Sequence, residues 1–252
     1  MMRVTTTDKE AHMKARYDAI YRDIRASIED GTYPYQEFLP SEAELVQKYS
    51  CSHNTLRRAL ALLREQGFVQ PVHGKGVRVI HREAERTTFA IGEIESFREV
   101  GKRSHVATET IVLALEHITA TPETARATGF EEGIDLTSVE RVRRIGGECL
   151  IRDRNLFRTD SVPGITKEIA ERSIYEYIEG DLGLRIAMSK RTITGERATA
   201  RDREVLDLDD VDYLAVVSSQ TFDTQGILIE CTESRHRLDH FCFRDTAVRQ
   251  KV

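Results

Sequence analysis

No apolar run in the 252 residues approaches the ~18 needed to cross a bilayer, which excludes a helical membrane span. The stretch from Met1 to Met13 is polar and has no apolar h-region, so a secretory leader is not expected. Cysteine is scarce. Cys51, Cys149, Cys231 and Cys242 are scattered, with no Cys-x-x-Cys and no metal-ligand spacing. Reduced thiols in a cytoplasmic protein are the expectation, with no metal. A nucleophile motif and a glycine-rich phosphate loop are also missing, and with them the common signatures of an enzyme or of a cofactor. No internal repeat or low-complexity tract is found.

What is present is an uneven distribution of charge. The formal net charge is −5, but residues 1–82 carry 13 Lys and Arg against 10 Asp and Glu, while 83–252 carry 24 against 32. Within 51–82 stand Arg57, Arg58, Arg64, Lys75, Arg78 and Arg82 against the single acid Glu65. A local basic patch on an acidic chain fits a nucleic-acid contact, although a solvated basic face is the plain alternative.

The order of helix signals decides between them. Tyr17, Ile20, Tyr21, Ile24 and Ile28 recur at helical steps, and Gly31 ends that helix. Pro40-Ser41 opens a second helix, with Glu44 placed to complete a capping box. Leu45, Val46 and Tyr49 give it a buried side. Ser52 caps a third helix whose Leu56, Ala59, Leu60 and Leu63 face inward, and Gly67 stops it. Val69 and Val77-Arg78-Val79 read as two strands joined around Gly74-Lys75-Gly76. Helix, capped helix, capped helix and glycine-tipped hairpin make a winged helix-turn-helix, which lays one helix and one loop on duplex DNA. Expected DNA contacts are Ser41, Ser52, His53, Asn54, Thr55, Arg57 and Arg58 on the helices, with His73, Gly74 and Lys75 on the wing. A helical hairpin packing on a partner protein is the competing use of the same pattern.

Residues 1–13 are expected to be a flexible tail, 14–82 the DNA-binding domain, 83–91 a charged linker and 92–252 a second domain. In the second domain, apolar alternation marks strands at 110–115, 136–145, 149–157, 186–194, 213–222 and 227–237. Short helices fit 96–100, 122–128, 173–178 and 200–206. The fold class is α+β around an antiparallel sheet. Arg141 and Arg143 leave one strand face, and a phosphate between them would relieve their repulsion. A solvated pair is the alternative. Asp153 depends on the turn at Gly146-Gly147. A two-residue turn turns it away from the Arg141 face, whereas a three-residue bulged loop places it across from Arg141. Ser96-Phe97-Arg98-Glu99 reads as a capped helix start with an anion-binding end. There Phe97 is either an apolar wall or core, and Arg98 adds a second positive charge.

The stretches Leu39-Pro40-Ser41-Glu42-x-Glu44-Leu45, Ser52-x-x-Thr55-x-Arg57-x-Ala59 and Gly67-x-Val69 with Gly74-Lys75-Gly76-x-x-Val79 resemble the GntR family of bacterial repressors. Ala43 and His53 depart from it, since many relatives carry guanine-reading arginines there. Thr232-Glu233-Ser234-Arg235-His236-Arg237, then Asp239-x-Phe241-x-Phe243, resembles the HutC branch and its trehalose-repressor group. Lys190-Arg191-x-Ile193-Thr194 and Ala198-Thr199-x-x-Asp202 point the same way. The resemblance implies a chorismate-lyase-like second domain that binds effector and dimerises, and a homodimer on a palindromic operator. It also implies release from DNA by a phosphorylated sugar, trehalose 6-phosphate, controlling trehalose uptake and breakdown genes. Implied effector residues are Ser96, Phe97, Arg98, Arg141, Arg143, Asp153, Ser173, Tyr175, Glu230 and His236. It favours the bulged loop, with Asp153 across from Arg141 as a hydroxyl acceptor or, failing that, an ion-pair partner of Arg141. Ser173 is also read as a plain helix cap and His236 as a satisfied structural histidine. Another sugar phosphate, such as an amino-sugar phosphate, and a lyase-like enzyme are the alternative functions.

Overall fold

The computed structural model describes the backbone of residues 6–82, 97–99 and 107–243. The linker 83–91 and Ser96 lie outside the described residues. The chain divides into two compact units, the first including Met1–Arg86 and the second spanning Thr87–Phe243. Among the described residues no helix is long and apolar enough to cross a membrane.

The first unit holds helices α1 (Thr6–Glu29), α2 (Glu42–Lys48) and α3 (His53–Glu65), then strands β1 (Val69–Val72) and β2 (Gly76–Val79). Helix α1 begins inside the segment expected to be a tail, so residues 6–13 are helical there. Ile20, Ile24 and Ile28 of α1 bury against Leu45 of α2 and Leu56, Ala59 and Leu63 of α3, with Val69 and Val79 closing the base. Each end is chemically marked. Ser41 and Glu44 form the capping box of α2, and Ser52 Oγ accepts from the Thr55 amide at the start of α3. Gly67 (φ 74°) turns the chain out of α3 into β1, a conformation an L side chain rarely adopts.

The second unit is one antiparallel sheet in the order β3-β4-β5-β8-β7-β6. Its strands are β3 (Thr108–Thr119), β4 (Asp135–Ile145), β5 (Glu148–Arg158), β6 (Ile186–Arg197), β7 (Tyr213–Asp223) and β8 (Leu228–Arg237). Helices α4 (Pro122–Thr128), α5 (Lys167–Arg172), α6 (Ile174–Glu176) and α7 (Ala200–Val205) lie in the connections. A π-helical turn over Tyr177–Asp181 follows α6. Helix α5 is absent from the sequence reading. All six expected strands are present.

One sheet face packs Val139 and Phe157 against Ala170, Ile174 and Ile178 of the α5–π-turn segment. The other carries two apolar clusters. Leu136, Leu156 and Cys231 meet Phe130 at one end, and Val142 and Leu214 meet Leu206 and Leu208 at the other. Between them runs an ionic band. Glu140 holds Arg152, and Arg152 and Arg235 both hold Asp202 of α7, which is fully buried.

The β4–β5 turn corrects the sequence reading. Ile145 faces Glu148, so Gly146-Gly147 is a two-residue turn, with φ 61° and 98° as such a turn demands. The bulge lies further on. Arg144 faces Cys149 but Arg143 faces Ile151, which leaves Leu150 as the extra residue. That single insertion flips the face of everything after it and brings Asp153 opposite Arg141.

Candidate functional site

On the DNA-binding unit, the first turn of α3 and the wing tip are exposed: Ser52, His53, Asn54, Arg57, Arg58, His73, Gly74 and Lys75. Gly74 (φ 72°) has open space where a Cβ would stand. Ser41 is exposed, but its amide and hydroxyl are both taken by Glu44 Oε2 at 2.7 Å. Thr55 is buried, and its Oγ1 lies 2.8 Å from Ser52 Oγ, so the cap consumes the hydroxyl expected to grip phosphate. Arg58 stacks on the Tyr17 ring at 5.1 Å, which anchors α3 to α1. Arg57 and His53 both reach Glu42, a residue the sequence reading did not single out.

In the second unit, register places Arg141 and Arg143 of β4 on one face with Asp153 and Asn155 of β5 and Glu230, Thr232, Ser234 and His236 of β8. Helices α5 and α6 pack over this face; Arg141, Arg143, Asp153, Asn155 and Glu230 are buried, and Thr232, Ser234 and His236 are half-buried. Arg141 and Arg143 are 4% and 8% exposed, which excludes the solvated pair. Arg141 donates from Nη2 to Asn155 Oδ1 (2.7 Å) and from Nη1 to the Ala170 carbonyl (3.2 Å). Its Nε is buried with no hydrogen-bond partner among the described atoms. An unmade bond on a buried charged group is costly. Burial, and then the neighbouring Arg143 charge, push the Arg141 guanidinium down to about 9, still protonated at neutral pH.

Asp153 sits across from Arg141 but pairs diagonally with Arg143, whose Nε donates to Oδ2 at 2.7 Å. The ion pair expected with Arg141 is thus made with Arg143. Ser234 donates to the other carboxylate oxygen at 2.6 Å. Burial works to raise the Asp153 carboxyl, but the two guanidiniums and the Ser234 hydroxyl hold it below the usual carboxylate range. Arg143 also donates to Thr110 Oγ1 (2.6 Å) and lies 4.9 Å above the Phe97 ring. Glu230 accepts from Tyr175 OH (2.7 Å), Asn155 Nδ2 (3.0 Å) and Thr232 Oγ1 (2.8 Å). Burial, and then the Glu230 charge, push the Tyr175 phenol well up, so it remains a donor. Ser173 is buried and caps α6 through the Glu176 amide. His236 is near Phe241 (5.0 Å between rings), and burial pushes its imidazole down to about 4, so it is neutral.

Arg98 is exposed and donates to Glu176 at 2.9 Å. An open cleft beside Tyr175 is lined by Glu99, Glu176, Glu179 and Ile186. Asn155 was missed from sequence, yet it joins Arg141 to Glu230. Its signal was an amide on the same strand face as Asp153, readable only once the bulge is known.

Residues 16–79 match the family of bacterial regulatory proteins described as gntR, and residues 103–242 match the UTRA domain. The chain belongs to the GntR family of transcription regulators, in the HutC-type branch that joins this DNA-binding head to a UTRA effector-binding domain. It is 40% identical over 238 residues to the HTH-type transcriptional regulator TreR of Bacillus subtilis (strain 168), covering 94% of this chain and 98% of that one. The solved effector-binding domain of the Bacillus subtilis trehalose repressor is 41% identical, with a TM-score of 0.52, and covers 57% of this chain and 99% of that one. Possible transcriptional regulator YydK of the same organism has the same fold over 92% of this chain and 99% of its own, with 23% identity and a TM-score of 0.77. These relatives are regulators, which removes the lyase-like alternative: this chain is a transcription regulator and not an enzyme.

Proposed function

We propose that this regulator is a repressor, paired as a homodimer on a palindromic operator and released by a phosphorylated sugar, with trehalose 6-phosphate as the effector and trehalose uptake and breakdown genes as the target. The carrying observation is the buried guanidinium pair, where Arg141 Nε has no hydrogen-bond partner among the described residues and lies beside Arg143 in the domain that is 41% identical to a trehalose repressor's effector domain. A phosphate supplies acceptors for that Nε and for both guanidiniums. Asp153 and Glu230 already balance the two charges, so a phosphate competes with Asp153 for Arg143. Loosening that 2.7 Å pair is the first event by which ligand changes the domain. Glu230, Asn155 and the displaced Asp153 then serve the sugar hydroxyls, and Phe97 gives an apolar ring wall. Ser96, Arg98, Ser173, Tyr175 and His236 complete the proposed effector set, the last two through their contacts with the cluster.

Thermal melting of the full chain tests this. At a hundredfold excess over Kd, trehalose 6-phosphate is expected to raise Tm by roughly 5 °C or more, with free trehalose and inorganic phosphate far weaker. An equal or larger rise with glucosamine 6-phosphate reassigns the sugar to an amino-sugar phosphate. No rise with any sugar phosphate contradicts a sugar-phosphate sensor.

A further inference from the structure

Glu42 is an unexpected residue for a surface that meets DNA, because a carboxylate there faces phosphates. It is the first residue of α2, directly after the Ser41 cap. Its Oε1 lies 2.9 Å from His53 Nδ1 and 2.8 Å from Arg57 Nε, and Oε2 lies 3.5 Å from Arg57 Nη2. The hydrogen bond with His53, with Arg57 behind it, holds the Glu42 carboxyl below its usual range. It is therefore ionised at neutral pH and can only accept.

An acceptor-only partner puts the imidazole proton on Nδ1. In that tautomer of the uncharged ring the lone pair lies on Nε2, the nitrogen turned away from Glu42. His53 opens α3, and its side chain is 60% exposed. In this motif the first turn of the second helix meets base edges. In the major groove the only donors are the exocyclic amines of adenine (N6) and cytosine (N4), whereas guanine offers acceptors at N7 and O6 and thymine one at O4. Arg57 shares the same carboxylate, through Nε at 2.8 Å and Nη2 at 3.5 Å, so Glu42 ties it to His53.

We infer that Glu42 is a positioning residue for operator readout: it fixes His53 as a hydrogen-bond acceptor that reads the exocyclic amine of one adenine or cytosine in each half-site. This rests on α3 being the recognition helix of a sequence-specific repressor. It goes further in naming the atom read and the residue that sets it.

The test is a cycle between a protein side chain and a base atom. An operator is first selected with the full chain from random duplex DNA. Each adenine and cytosine of one half-site is then replaced in turn by the analogue without its amine, and affinities are measured for the natural protein, His53→Ala and Glu42→Ala. Loss of one amine is expected to weaken the natural protein about tenfold while weakening His53→Ala and Glu42→Ala less than twofold. Glu42→Ala is also expected to bind random DNA as well as or better than the natural protein, because a negative charge has been removed. That readout separates lost positioning from lost folding. The inference is overturned if no amine deletion couples to residue 53, or if Glu42→Ala keeps the full tenfold preference. A failure to select any operator would instead overturn the repressor reading itself.

Discussion

Two guanidiniums leaving one strand face two residues apart would be a liability when both are buried. Asp153 and Glu230 make the arrangement tolerable, and Asp153 carries the closer ion pair. Asp153→Asn removes the partner of a buried charge, and a loss of ~3–5 kcal/mol is expected in denaturant titration. The folded carboxyl titrates below its unfolded value of 3.8, so its contribution is present above that pH and is lost as pH falls through the folded value. His236 acts over a milder range. Its imidazole is pushed from 6.5 to about 4 by burial, so below pH 6.5 the unfolded chain takes up a proton that the folded chain refuses. Stability is full above that pH and is expected to fall by roughly 3 kcal/mol as pH drops toward 4. Tm measured between pH 7 and 4.5 should decline less steeply for His236→Gln than for the natural protein; parallel slopes would contradict the assignment.

At the scale of elements, caps and charge clamps decide which segments hold. Removing the Ser52 hydroxyl from the start of α3 (Ser52→Ala) is expected to cost ~1 kcal/mol, an ordinary cap. Asp202 is different in kind, because it caps α7 and also holds Arg152 and Arg235 with no exposure to water. Asp202→Ala takes one carboxylate from the buried Arg235 and the partly buried Arg152, which keep Glu196 and Glu140, and a loss of ~3 kcal/mol is expected in the same titration. Legibility from sequence divides along similar lines. The six strands were readable because alternation follows from the pleat, and α2 and α3 because Ser41, Glu44 and Ser52 mark their starts chemically. Helix α5 was not read, although Thr166 caps it as Thr199 caps the equally short α7, which was read. The bulge at Leu150 left no glycine or proline as a marker; the sequence allowed either turn at Gly146-Gly147, and the resemblance favoured the loop in place of the tight turn. Arg141, Arg143, Asp153 and Glu230 were nameable through resemblance. Asn155, and the diagonal pairing of Asp153, required the register. Glu42 was legible only as part of a motif, because its bond partners lie 11 and 15 residues away on another helix.

At the scale of the whole chain, a basic head and an acidic sheet domain divide the work. DNA contact is assigned to one unit and effector contact to the other, so their failures should be separable. Arg57→Ala is expected to weaken operator binding about tenfold or more while leaving trehalose 6-phosphate affinity unchanged in calorimetry. Communication between the units is a matter of linkage: an effector releases operator only by binding the DNA-free form more tightly, by the same factor with which DNA weakens effector binding. The most direct measurement is a gel shift on the promoter DNA upstream of this regulator's own gene, titrated with trehalose 6-phosphate, for the natural chain and for Arg143→Gln. The natural chain should be released at least tenfold more readily by trehalose 6-phosphate than by free trehalose, and Arg143→Gln should bind the same DNA yet resist release. Equal release of both proteins would contradict a phosphate-sensing guanidinium pair.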